Sequence, residues 1–216
     1  MLPGPTIYKE CPSCKKIVAE GSLASGNTFG AIHWSDGKMD AEMLPEFPGV
    51  VSCPECRELF WIKDAETVGE YDWFNGEDSE EPEEWKKAKS VKEPGIEDYQ
   101  NALNQGLDSS KDREKYIRIH LWWALNDLVR YEEKQPELFR QYQKIFQNNL
   151  ESLVGLLENC DAAGQIMKAE IARELGEFET CLVRLAIIPD EHETVCNQIR
   201  QFVQQKSRMV QKLQIR

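Results

Sequence analysis

Cys11-Pro12-Ser13-Cys14 and Cys53-Pro54-Glu55-Cys56 are the residues of this chain whose type and spacing point most directly to chemistry. A two-residue spacer lets both thiolates of a pair reach one ion across a tight turn. The proline after each first cysteine fixes φ and stiffens that turn. Two such pairs supply four sulfurs, which a tetrahedral zinc ion takes at about 2.3 Å. Four thiolates around a divalent ion carry a net charge of −2. The flanking Lys15, Lys16 and Arg57 are placed to offset it. Iron accepts the same donor set, as in a rubredoxin-like centre, but nothing else in the chain suggests electron transfer, and the sequence favours zinc. Four sulfur ligands close the coordination shell, so the expected role is structural rather than hydrolytic. The predicted metal ligands are therefore Cys11, Cys14, Cys53 and Cys56.

No catalytic constellation accompanies them. The chain has three histidines. His33 lies between the cysteine pairs and is weighed as a donor to a ligand or as an alternative ligand. His120 stands beside Trp122-Trp123 on a helical pattern, and His192 lies in the acidic run Asp190-Glu191-His192-Glu193. None belongs to a nucleophile pattern, and no Gly-x-Ser-x-Gly or phosphate loop is present. Gly26-Asn27-Thr28-Phe29-Gly30 lacks the lysine and the preceding apolar strand of a phosphate-binding loop, and Glu132-Glu133 reads as a solvated face. The sequence assigns no catalytic residue.

The elements that must position the sulfurs are short strands. Ala31-Ile32-His33-Trp34 reads as a strand, with Ser35-Asp36-Gly37-Lys38 as a hairpin turn. Val50-Val51-Ser52 leads into the second cysteine pair, and Leu59-Phe60-Trp61-Ile62 leaves it. Between the pairs lie 38 residues, from 15 to 52, more than a compact two-pair zinc ribbon needs. Residues 1–63 are accordingly expected as a small antiparallel zinc-ribbon domain. Residues 64–95 form an acidic linker that Tyr71, Trp73, Phe74 and Trp85 interrupt. Those rings either dock on the protein's own surface or serve a partner.

Residues 96–216 are expected to be helical, with helices near 97–105, 112–130, 136–159, 162–175, 177–188 and 190–210. On the second of these, Tyr116, Ile119, Trp123, Ala124 and Asp127 follow a three-and-four spacing. Pro136 suits a first helical turn, and Pro189 ends the fifth helix. The predicted class is thus α+β, a small antiparallel ribbon module followed by a helical bundle.

Composition bounds the rest. The chain of 216 residues carries a net charge of −12. Residues 1–60 hold 5 cations against 8 anions, residues 61–98 hold 5 against 13, and residues 99–216 hold 16 against 17. That acidic middle disfavours nucleic acid, whose binding rests on neutralising phosphates. The basic stretch after Glu193 (Arg200, Lys206, Arg208, Lys212, Arg216) reads as helix-end and solvent-facing charge. No run of 18 apolar residues suggests a membrane span, and Met1–Glu10 does not read as a secretory signal. A cytoplasmic protein with reduced thiols is expected, so Cys160, Cys181 and Cys196 are read as small core residues.

Ala169 to Leu185 resembles the middle of a tetratricopeptide (TPR) unit. Gly176 supplies the turn, Phe178 packs across it, Cys181 takes the small-residue position, and Leu185 fills the next inward one. The match covers one partial unit, without a second copy. The chain as a whole is similar to an uncharacterised bacterial family that joins an N-terminal Cys-Pro-x-Cys zinc ribbon to a TPR-like helical C-terminus. Residues 25–30, 35–38, 43–45 and 53–61 and the stretch Arg113–Asn126 carry this likeness. The resemblance implies architecture and no settled activity. The expected function is a non-enzymatic zinc-binding module that binds an unidentified protein partner. The rivals are a metal-centre redox protein or enzyme and, less favoured, a nucleic-acid-binding ribbon.

Overall fold

The structure is a computed structural model that describes residues 1–72, 80–131, 134–158 and 161–215. Trp73, Phe74, the acidic run 77–79, Glu132-Glu133, Cys160 and Arg216 lie outside the described residues.

In chain order the strands are β1 (Leu2–Pro3), β2 (Thr6–Glu10), β3 (Ile17–Glu20), β4 (Leu23–Ser25), β5 (Ile32–Trp34), β6 (Met39–Asp40), β7 (Val50–Ser52), β8 (Leu59–Trp61), β9 (Thr67–Tyr71) and β10 (Lys89–Ser90). The helices follow as α1 (Ile96–Asn104), α2 (Lys111–Arg130), α3 (Pro136–Gln141), α4 (Gln143–Leu156), α5 (Ala162–Leu175), α6 (Phe178–Leu185) and α7 (Glu193–Gln204), and then β11 (Lys212–Leu213). The class is α+β. No helix among the described residues is long and apolar enough to cross a membrane.

Two compact units divide the chain, and neither is contiguous. The first comprises Met1–Ala31 and Ala41–Leu107, the second Ile32–Asp40 and Asp108–Arg216.

In the first unit a four-stranded sheet runs in the order β10-β3-β2-β9, with β10 parallel to β3 and the other pairs antiparallel. β7 and β8 form a separate antiparallel hairpin, in register Val50–Trp61 and Ser52–Leu59. Lys92 and Ser52 exchange backbone hydrogen bonds of 2.9 and 3.0 Å, which ties the chain after β10 to β7. Val18, Val51, Phe60, Ile62 and Ala65 pack with Cys11 and Cys53 into one buried apolar cluster.

The described part of the acidic stretch therefore contributes sheet. β9 lies within residues 64–95, and Trp85 stacks on Tyr8 with ring centroids 4.6 Å apart. Gly69 makes room for that ring, since a Cβ there would lie 2.0 Å from the Trp85 indole. The Tyr8 hydroxyl donates to Glu81. Burial, with Glu81 beside it, pushes the Tyr8 hydroxyl up to about 12. Among the described aromatics, Trp85 thus docks on the protein's own sheet, because an indole half-buried between Tyr8 and a strand glycine sheds more apolar surface than a solvated linker allows.

In the second unit, α2 buries Ile117, Leu121, Trp122, Leu125 and Val129. The inward face thus differs from the one read in the sequence. Trp122 is fully buried, whereas Trp123, Ala124 and Asp127 are only partly covered. Polar Asn126 and Arg130 also point inward, and their character hid the true stripe. The long helix expected over 136–159 breaks at Tyr142, which caps α3 and starts α4 at φ −90°, ψ 3°. The break brings Phe139 and Phe146 edge-on, 5.2 Å apart. α5 ends on Gly176 at φ 87°, a left-handed cap that glycine adopts without steric cost. Cys181 and Cys196 are buried with Ala169, Ala172, Leu185, Ile199 and Val203. Burial pushes the Cys181 thiol up to about 12, as suits an inert core position.

The hairpin β5–β6 belongs to this helical unit. β5 pairs with β6 and with β11, His33 lying opposite Met39 and Leu213. Gly37, at φ 84°, turns the hairpin, and Trp34 N–H closes it on Lys38 O at 2.9 Å.

Candidate metal centre

The two cysteine pairs sit on turns of the same construction. Cys11 follows β2, and its N–H donates to Lys16 O at 2.9 Å while its carbonyl accepts from Lys15 N–H at 3.0 Å. Cys53 follows β7 and repeats the pattern with Glu58 and Arg57, each at 2.9 Å. Each turn needs one left-handed residue after its second cysteine. Lys15 takes φ 60° and Arg57 φ 66°, both in the region that L side chains rarely occupy. Such a conformation costs on the order of 1 kcal/mol per residue and persists only where the surrounding structure demands it.

These turns bring the four sulfurs together. Cys11 Sγ lies 3.8 Å from Cys56 Sγ, and Cys14 Sγ lies 3.8 Å from Cys53 Sγ. All four fall within 4.8 Å of one another. A tetrahedron with metal–sulfur bonds of ~2.3 Å has sulfur–sulfur edges of about 3.8 Å, so the cage fits such an ion. Contact between thiols alone would not require four sulfurs to converge. The four cysteines can hold a metal ion, and among the described residues they are the one group of three or more such donors so arranged.

The surroundings are asymmetric. Cys11 and Cys53 are fully buried, Cys14 is partly covered, and Cys56 is exposed. Burial raises the Cys11 thiol, whereas the backbone N–H of Lys16 lowers that of Cys14. The Glu55 N–H also points to Cys53 Sγ at 3.4 Å. Backbone dipoles thus offset sulfur charge here. Of the nearby cations, Lys15 pairs with Glu10 at 3.0 Å and Lys89 with Glu55 at 2.8 Å.

The histidines take other places. His33 belongs to the helical unit through β5 and is not among the grouped donors. His120 stacks on Tyr116 at 3.8 Å, with Nδ1 2.9 Å from the Tyr116 carbonyl oxygen. His192 is partly exposed and lies 3.4 Å from Glu191.

A second constellation, within the helical unit, escaped the sequence reading. Asp36 on the hairpin turn is fully buried and receives Arg130 Nη1 at 3.1 Å and Nη2 at 2.6 Å. Asn126 Nδ2 donates to Asp36 at 2.9 Å and lies 3.3 Å from Glu174. Trp122 Nε1 donates to Glu174 at 2.7 Å, and Arg173 pairs with Glu170 on α5. Arg173 Nη2 also donates to Met209 O at 2.9 Å. Burial, then the nearby Glu170 and Asp36, raises the Glu174 carboxyl well above the usual carboxylate range. No buried side-chain nitrogen or oxygen among the described residues lacks a partner. Trp122, Asn126 and Arg130 recur every four residues on α2, and Glu170, Arg173 and Glu174 share a face of α5. That periodicity was the available signal.

No family model, no curated protein and no solved structure matches the chain.

Proposed function

We propose that Cys11, Cys14, Cys53 and Cys56 hold one structural zinc ion and that the protein is a non-enzymatic, cytoplasmic interaction module with a TPR-like helical part. The observation that carries the metal reading is the convergence of four sulfurs at tetrahedral spacing on two matching turns. Bound zinc would supply cross-linking between two distant chain segments and no open coordination position. Cys11 and Cys53, being buried in the apolar cluster, would fix the ion to the core, while Cys14 and Cys56 close the cage from the outer side. Support for a binding role comes from α6 and the turn after it, where Leu182, Val183 and Ile187 expose apolar side chains.

Two measurements on natively purified protein test this. Metal analysis should find one zinc per chain and a colourless solution. One iron per chain with a red colour would favour the redox reading instead. Affinity capture from native lysate, read by mass spectrometry, should recover one stoichiometric protein partner that Val183→Asp with Ile187→Asp abolishes. A partner retained unchanged by that variant would move the interface elsewhere, and the absence of any partner would remove the interaction role.

A further inference from the structure

We infer that occupancy of the four-sulfur site controls how firmly residues 32–40 stay docked in the helical unit, which makes that unit metal-responsive although it supplies no ligand. The inference rests on the metal reading above and concerns the regulation of that same site. The 38 residues between Cys14 and Cys53 form a loop whose two ends the metal would join. The middle of that loop is β5–β6, which is anchored in the helical unit. Ser35 N–H donates to Gln211 O at 2.8 Å, and Gln211 N–H returns to Ser35 Oγ at 2.9 Å. Asp36 carries the buried bonds to Arg130 and Asn126, and its carbonyl accepts Trp123 Nε1 at 3.1 Å. Lys38 Nζ lies 2.7 Å from Asp127.

The arms that lead to this hairpin meet at a short stem. Asn27 N–H donates to Met43 O at 3.2 Å, and Gly26 approaches so closely that a Cβ there would lie 2.3 Å from Met43 O. The return arm, residues 41–49, forms no helix or strand and contains Pro45 and Pro48, which offer no N–H. Past that stem the return arm runs into the β7–β8 hairpin, where Ile62 N–H donates to Gly49 O at 3.0 Å, and so to Cys53. Joining the loop ends through the metal removes conformational freedom that hairpin docking must otherwise remove, so each event favours the other. Linkage requires that the coupling be reciprocal: a weaker hairpin contact must weaken zinc binding by the same factor.

Hydrogen–deuterium exchange on the full chain, zinc-loaded and stripped with a strong chelator, tests this. Amides of residues 34–38 are expected to exchange about tenfold faster in the stripped protein. The core amides of α2 from 117 to 125 should not change. If the amides of Cys11 and Cys53 speed up while residues 34–38 stay as they were, the linkage is overturned and the metal reading stands. If the protein retains no zinc and neither region responds, both fall. The reciprocal arm is Lys38→Ala, which touches no sulfur and should raise the zinc Kd several-fold in competition with a chromophoric chelator. An unchanged Kd overturns the linkage.

Discussion

The four sulfurs of the first unit and the buried ions of the second hold distant segments together by opposite means. The sulfurs draw residues 11–14 and 53–56 to one point with soft donors that have little affinity for one another until a metal joins them. The ions draw Asp36 of the hairpin turn onto Arg130 of α2 by charge and hydrogen bonds already complete in the chain. On the proposed metal reading the first arrangement depends on an added component, whereas the second depends on desolvated partners that cannot be removed singly. That difference predicts how each should fail.

The largest effect is expected where the added component is lost. Cys53→Ser removes a fully buried sulfur, and structural zinc in small domains contributes about 10–16 kcal/mol of apparent binding free energy. Metal content should fall to zero and the dispersed NMR signals of residues 1–31 and 41–72 should collapse, while α2–α7 keep their helical signal. A fully dispersed spectrum would show that the β-strands stand without the ion.

Next comes Asp36→Ala. It leaves the buried Arg130 guanidinium with Asp127 on Nε (2.6 Å) but no carboxylate on Nη1 and Nη2, and breaking a buried pair from one side costs roughly 3–5 kcal/mol. The double substitution Asp36→Leu with Arg130→Met should recover most of that loss, since replacing both partners by apolar groups is often neutral. Urea midpoints of the three proteins decide it. A double variant as weak as the single one would mean that hairpin geometry, not charge, holds the unit.

The pH response separates the regions further. Glu174 has a folded-state pKa above its unfolded value, so the folded protein holds the extra proton between the two. Its contribution to stability is present below about pH 4.5 and is lost as pH rises toward the folded-state value. Glu174→Gln should flatten that decline when urea midpoints are taken from pH 5 to 8. A decline of equal slope would assign it to other groups. The smallest effect belongs to the exposed pair Arg140–Glu137, with side chains 69% and 78% accessible. Arg140→Ala should shift the urea midpoint by no more than about 0.5 kcal/mol in free energy.

The regions also differ in how legible they were. Cys-Pro-x-Cys spacing is local, so both turns and all four grouped sulfurs could be read directly. The Gly176 cap and the α5–α6 pair were legible for the same reason, because a left-handed glycine after an apolar stripe is a short-range signal. The face of α2 was misread because Asn126 and Arg130 interrupt its apolar stripe, and an arginine on a buried face looks like a boundary until its carboxylate is in view. That carboxylate, Asp36, lies 94 residues away.

Residue chemistry alone therefore determined the α+β class, the four candidate ligands and the helical C-terminal half, each of which depends on contacts within a few residues or on donor type. The tertiary structure decided that the hairpin between the cysteine pairs packs with the helices, that Trp85 closes over Gly69, and that two arginines and three carboxyl groups share one interior. Those outcomes depend on desolvation and on pairing across long separations. Neither leaves a periodic trace, because a charged side chain carries the same letter whether it faces water or an opposite charge in the core.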